Sequence, residues 1–162
     1  MGAGVALWSS ILDHPFLGGR RVPTVTSSVQ VDRPIEPVFD YMVEPTHQVD
    51  WSPNFLSLDH VEPGPIAAGM RFTGTIKNFG SLDLEYSEFV RPHAFKMATD
   101  HKMGHFSHGF TFDRSGEGTR VTQEIVFAPK GMARLMAPFM TRMLKKMAAD
   151  LDDRIQSTVN AL

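Results

Sequence analysis

Residues 131–162 read GMARLMAPFMTRMLKKMAADLDDRIQSTVNAL, and the spacing of their apolar side chains decides the fold. Met132, Leu135, Met136, Phe139, Met140, Met143, Met147, Leu151, Ile155 and Val159 recur with a helical period, not with the two-residue period of a strand. Arg134, Arg142, Lys145, Lys146, Asp152, Asp153 and Arg154 fall on the other side. A helix with one apolar stripe is stable only when that stripe is covered, so the segment lies against another layer. Methionine is flexible and polarizable, which suits it to core packing and to a wall that adapts to what it touches. Pro138 interrupts the pattern. Either it kinks the helix near residues 134–138, or the helix begins later, Pro138 occupies its first turn, and 131–137 form a separate turn.

The other layer is legible upstream. Residues 24–32 alternate, with Val25, Ser27, Val29 and Val31 on one face, and predict a first strand. Pro34, Glu36 and Pro37 then open a short helix through Val38, Phe39, Tyr41 and Met42, since proline is tolerated in a first turn. Glu44-Pro45 ends it, and Thr46 is expected to cap a second short turn carrying His47 to Trp51. Six further strands are predicted at 55–62, 70–78, 81–91, 95–99, 105–114 and 119–127. The separators between them, such as Pro63-Gly64-Pro65, Phe79-Gly80, Pro92-His93 and Ser115-Gly116-Glu117-Gly118, are turn chemistry that suits antiparallel hairpins. The predicted class is α+β, with a curved antiparallel sheet against the C-terminal helix.

Composition narrows the function. The 162 residues suit one domain, and 42% hydrophobic with 21% charged residues is ordinary for a globular protein. A net charge of −2 gives no electrostatic case for nucleic acid. Without cysteine there are no disulfides, thiolate metal sites or cysteine nucleophiles. No apolar run approaches the roughly 18 residues of a membrane span. Residues 1–23 are expected to extend outside the main fold. They lack the basic start of a secretory signal, and Ala6 stands where a myristoylation motif wants Ser or Thr, so the expected location is cytoplasmic.

The chain resembles the START-like, or SRPBCC, superfamily, in particular its polyketide cyclase/dehydrase-like branch. The resemblance is carried by Val29-Gln30-Val31-Asp32-Arg33-Pro34 running into Pro37-Val38-Phe39-Asp40-Tyr41, then Trp51-Ser52-Pro53 and Gly64-Pro65 with Gly69-Met70-Arg71-Phe72. Arg91-Pro92 between two strands and Gly118-Thr119-Arg120-Val121-Thr122 complete it, so that it covers about residues 24–162. It implies a helix-grip fold, in which a seven-stranded sheet wraps the long C-terminal helix with two short helices after the first strand. It also implies a cavity for an apolar ligand between sheet and helix. The implied functions range over lipid carriers, hormone receptors, aromatase/cyclases and oxygenase subunits, and fold alone does not choose among them.

Alternation assigns side chains to that cavity. Phe72, Tyr86, Glu88, Met97, Phe106, His108, Phe110 and Gln123 are expected to face the helix, with Phe139, Met143 and Met147 of the helical stripe opposite them. The resemblance implies that the short turn carrying Trp51 closes over the sheet, with Trp51 as lid or hydrophobic plug. His108 and Tyr86 are the candidate acid/base pair, oriented by Gln123 or Glu88, if the protein is a cyclase or dehydrase. His108 and Gln123 could equally bond one another within a structural network. His93, His101, His105 and His108 cluster in sequence, but strand geometry turns His105 and His108 to opposite faces, and neither a metal nor an organic cofactor is expected. The expected partner is a small apolar molecule of polyketide, lipid or aromatic type. The alternatives are a lipid or quinone carrier without turnover, and a filled-core module that binds protein.

Overall fold

In a computed structural model, residues 22–162 are described. The expected extension, residues 1–23, therefore lies outside the described residues except for its last two. The element order is β1 (Thr24–Val31), α1 (Ile35–Val43), a 3-10 turn (Pro45–His47) and α2 (Gln48–Trp51). Then follow β2 (Phe55–Val61), β3 (Arg71–Ile76), β4 (Gly80–Val90), β5 (Ala94–His101), β6 (Gly104–Ser115) and β7 (Gly118–Pro129). A second 3-10 turn (Gly131–Met136) leads into α3 (Ala137–Asn160).

All seven strands form one antiparallel sheet in the order β1-β7-β6-β5-β4-β3-β2. Each hairpin from β2 to β7 pairs with its sequence neighbour, and β1 closes on β7 with Val25 opposite Ile125 and Val29 opposite Val121. The helix-grip fold implied by the sequence is the fold observed. The sheet curls around α3, whose end is tied back to the start of the domain: the Asp32 backbone N–H donates to Asn160 Oδ1 at 2.8 Å, and Arg33 donates to the Asn160 carbonyl at 3.1 Å.

The two local ambiguities resolve simply. Pro138 sits in the first turn of α3, where its missing N–H is no loss, and residues 131–136 form the separate 3-10 turn. The turn before α2 is capped by Glu44, not Thr46. The Glu44 carboxylate accepts from the Thr46 backbone N–H at 3.4 Å and from its hydroxyl at 3.2 Å. A carboxylate is favoured there because the free N–H groups of a helical start are its positive end.

The core is aromatic. Phe39 on α1 meets Phe95 and Phe112 edge-on at 5.9 and 5.3 Å, while Phe95 stacks on Phe110 at 5.0 Å. Gly74 on β3 leaves room for a ring of this core: a Cβ there would stand 2.2 Å from Phe55 Cζ. Gly74→Ala is expected to cost about 1–3 kcal/mol, the usual price of overpacking, as a lowered urea midpoint at unchanged slope. An unchanged midpoint would mean that Phe55 has a second place to go.

The buried stripe of α3 is rotated from the one read in the sequence. Met140, Leu144, Ala148, Leu151, Ile155 and Val159 are buried, whereas Met132, Leu135, Met136 and Phe139 are exposed large apolar residues. Met132, Leu135 and Met136 lie in the 3-10 turn, out of phase with α3, and Phe139 lies within α3 one residue before Met140, about 100° round the helix from it.

Candidate functional site

Sheet and helix enclose an apolar cavity of about 70 Å³. At about 10–15 Å³ per water, that is room for a handful of waters or one small ring; anything larger enters only as wall side chains turn aside. The wall takes Met97 and Thr99 from β5, Phe106 and His108 from β6, Ile125 and Phe127 from β7, Met147 and Leu151 from α3, and Trp51 from α2. Among the described residues, no Asp, Glu, Lys or Arg lines it.

One hydrogen-bond network runs from the wall at His108 into α3. His108 Nε2 is 2.9 Å from Gln123 Oε1. Gln123 Nε2 donates to the Ala148 carbonyl at 3.0 Å and to Asp152 Oδ1 at 2.6 Å. Both amide protons are thus committed to acceptors on α3, so Gln123 Oε1 must accept and His108 Nε2 must carry the proton. The ring of His108 is therefore neutral at Nδ1, which forms no hydrogen bond with the described residues. Burial pushes the His108 pKa down to about 4, and the Gln123 hydrogen bond opposes this only in part. The network ties β6, β7 and α3 together, and Gln123 is fully buried within it.

A pH dependence follows, with its sign set by that depression. Between pH 6.5, the ordinary histidine value, and about 4, the unfolded chain takes up a proton that native His108 refuses. This contribution to stability is complete above the unfolded pKa and is lost as pH falls through the window, at up to about 1.4 kcal/mol per pH unit. Denaturant melts from pH 7.5 to 4.5 on the wild type and on His108→Phe measure it. The difference between the two should shrink or reverse toward low pH, and parallel curves would contradict the buried neutral ring.

Trp51 is fully buried and lies edge-on to Phe110 at 5.4 Å, so it is both plug and cavity wall. Its indole N–H has no hydrogen-bond partner among the described residues. Met97, Phe106 and Met147 also stand at the wall where alternation placed them. Phe72, Phe110 and Gln123 face the same interior but lie behind the wall, in the core and the network. Met143 is partly buried and packs against the core cluster of Ile125, Phe127 and Leu144 without reaching the cavity.

Three expected positions fall elsewhere. Glu88 faces outward: a bulge between Tyr86 and Glu88 shifts the register by one residue, which turns Phe89 inward and pairs Glu88 with Lys96 at 3.6 Å. Tyr86 is interior but does not line the cavity; its hydroxyl donates to the Val43 carbonyl, and burial pushes its phenol far above the usual tyrosine range. It anchors the end of α1 and is unsuited to proton transfer. Phe139 is 62% exposed on the first turn of α3, away from the wall.

Several wall residues were not anticipated. Gln48 precedes Trp51 by three positions and shares its helical face, which is a usable signal; its Nε2 lies 3.2 Å from Met97 Sδ. Phe79 lies in the β3–β4 turn, where a large apolar residue is itself unusual, and meets His101 edge-on at 6.4 Å at the end of the cavity. Gly104 lines the cavity too, and a Cβ there would meet the Ala128 carbonyl oxygen at 2.2 Å. The four clustered histidines do not converge: His105 faces outward beside Asp100 at 3.3 Å, and no group of three metal-ligating side chains occurs among the described residues. A larger open groove of about 510 Å³ lies on the outer face of the sheet. The charged side chains lining it are mostly acidic, and Glu85 among them pairs with Arg71 at 3.0 Å.

Fold and cavity together define a helix-grip protein of the START-like, SRPBCC type. Residues 22–156 match the family described as polyketide cyclase / dehydrase and lipid transport, and the chain belongs to that family. No curated protein matches it. Among solved structures, it is similar to the di-domain aromatase/cyclase StfQ from the steffimycin biosynthetic pathway, with a TM-score of 0.68 at 11% identity over 85% of this chain and 50% of that one. It is also similar to Ara h 8.0201, with a TM-score of 0.58 at 11% identity over 85% and 99% of the two chains. Protein MLL2253 from Mesorhizobium loti gives 0.58 at 17% identity over 83% and 98%. At these identities the likeness is one of fold. No helix among the described residues is long and apolar enough to cross a membrane.

Proposed function

We propose that this protein binds a small apolar molecule between the sheet and α3, holding it in the cavity bounded by Trp51, His108 and Met147. The carrying observation is the apolar wall, to which no Asp, Glu, Lys or Arg among the described residues contributes, set against a fully formed core elsewhere. Such a space is costly to leave unfilled and is the usual form of an apolar ligand site. The family's description, which joins cyclases and dehydrases to lipid transport, supports the same class of ligand.

Between turnover and carriage, the geometry favours carriage. Tyr86 commits its hydroxyl to Val43 and Glu88 points outward, which leaves His108 as the one member of the expected acid/base set at the wall, with His101 beside Phe79 at its end. Cyclisation by positioning alone needs little more than a shaped wall, so a polyketide-like cyclase remains the second form of this proposal, with His108 as its acid/base group.

Native mass spectrometry of the freshly purified chain tests the binding. A retained small molecule is expected in the wild type and its loss in Met147→Trp, which fills the cavity while keeping an apolar side chain on α3. A folded Met147→Trp protein that retains as much ligand as the wild type would place the site elsewhere.

A further inference from the structure

The segment that leads into α3 carries an apolar surface that the core does not use. Met132, Leu135 and Met136 in the 3-10 turn and Phe139 in the first turn of α3 are exposed, Met132 and Leu135 to 84% and 80%, and the turn contributes no buried residue. Single exposed apolar residues are ordinary, but four large ones within eight positions form a patch of the kind that marks an interaction site. The charge around it is one-sided. Residues 130–149 carry Lys130, Arg134, Arg142, Lys145 and Lys146 and no Asp or Glu, in a chain whose net charge is −2. Lys130 pairs with Asp100 at 3.3 Å and Lys146 with Asp150 at 2.7 Å, whereas Arg134, Arg142 and Lys145 form no ion pair among the described residues. Arg142 follows Phe139 by three positions in α3 and so stands on the same side of the helix.

We propose that this patch docks the protein on a bilayer containing anionic lipid, with Met132, Leu135, Met136 and Phe139 at the boundary between headgroups and acyl chains and the three cations among the headgroups. Apolar residues flanked by lysine and arginine are the composition that holds a helix in that boundary. The cations add attraction only where the lipid is anionic. Side chains standing this clear of the protein form a projection, not a groove, and a fluid bilayer accepts a projection without a matching shape. A second copy on a twofold axis would set the same cations against themselves. The place in the fold also suits a lipid surface. The Lys130 backbone N–H donates to the Met103 carbonyl at 2.9 Å, so the turn adjoins the β5–β6 hairpin, whose His101 and Gly104 line the end of the cavity beside Phe79. A bilayer seated on the patch stands near that end of the cavity.

Flotation of the full chain with vesicles tests the docking, one set of phosphatidylcholine alone and one of equal parts phosphatidylcholine and phosphatidylglycerol. The chain should float with the mixed vesicles, far less with phosphatidylcholine alone, and should be released as salt screens the headgroup charge. In Leu135→Ser/Phe139→Ser the partition coefficient on mixed vesicles should fall at least about tenfold. In Arg142→Gln/Lys145→Gln it should fall about fivefold for each cation removed, with no change on phosphatidylcholine alone. All four positions are exposed, so urea midpoints at the wild-type value are expected and show that both variants fold. No flotation with the mixed vesicles would overturn the proposal, and a dimer that the same substitutions dissociate would then assign the patch to a second copy of the chain. Flotation unchanged in folded Leu135→Ser/Phe139→Ser would overturn it too, since another part of the chain, residues 1–21 included, would then make the contact. Retention of a ligand in the cavity is read without vesicles, so the docking and the binding proposed above can fail separately.

Discussion

Trp51→Ala is expected to lower the unfolding free energy by about 3–5 kcal/mol, measured by urea denaturation. Trp51 is fully buried, and its edge-on contact with Phe110 is what holds α2 to the sheet. The helix has four residues, too few to persist by its own hydrogen bonds, so its position depends on this side chain. Truncation also joins the volume of an indole to the cavity already present, and a hole lined by apolar atoms costs more as it grows. Trp51→Phe should recover most of the loss, because it keeps the aromatic contact and gives up only an N–H that has no partner. A loss below about 1 kcal/mol in Trp51→Ala would show that α2 is anchored by other contacts, such as the Arg154 guanidinium donating to the Asp50 carbonyl at 2.8 Å.

Gln123→Leu is expected to cost about 2–4 kcal/mol, although leucine matches the glutamine closely in size. The side chain joins three groups: the part-buried His108 N–H, the buried Ala148 carbonyl and the part-buried Asp152 carboxylate. Removing it leaves a buried donor and strips Asp152 of its hydrogen bond at the helix surface, and unmade buried hydrogen bonds cost more than made ones contribute. The His108 ring should also lose its fixed tautomer, which nitrogen-15 shifts of the imidazole report directly. An unchanged tautomer with a small stability loss would mean that the network is incidental and that another group orients His108.

Most of the architecture was legible because it follows from period and punctuation. Seven alternating segments, separated by glycine and proline turns, must form an antiparallel sheet, and one long helical stripe must cover it. The interior faces of β6 and β7 followed in the same way, since one face of a strand is every second residue and neither strand is interrupted. Met97, Phe106 and His108 reached the cavity wall by that arithmetic, Met147 by the helical stripe and Trp51 by the family resemblance.

Two misplacements have separate local causes. Glu88 follows a bulge after Tyr86, which moves the later side chains of β4 to the other face and has no sequence mark strong enough to locate it to one residue. Phe139 adjoins Met140 within α3, about 100° round the helix from it, and joined the stripe only because residues 131–136 were read as helix and form a 3-10 turn. Tyr86 was placed on the correct face, but what its hydroxyl touches depends on Val43, forty-three residues away in sequence. Gln48 and Phe79 were missed for a related reason, because they enter the wall from a helix and a turn that alternation along strands does not reach.

The sequence by itself determined the class of fold, the order of its elements, the absence of cysteine chemistry and the apolar character of the face that α3 covers. These depend on residue type and spacing, which are local. Only the tertiary structure decided which polar groups are spent and which are free. Gln123 is one glutamine on a strand until Ala148 and Asp152 take both of its amide protons, which fixes the His108 proton on Nε2. Hydrogen bonds across three elements carry no period, so the network beside the cavity is set by contacts that only folding brings together.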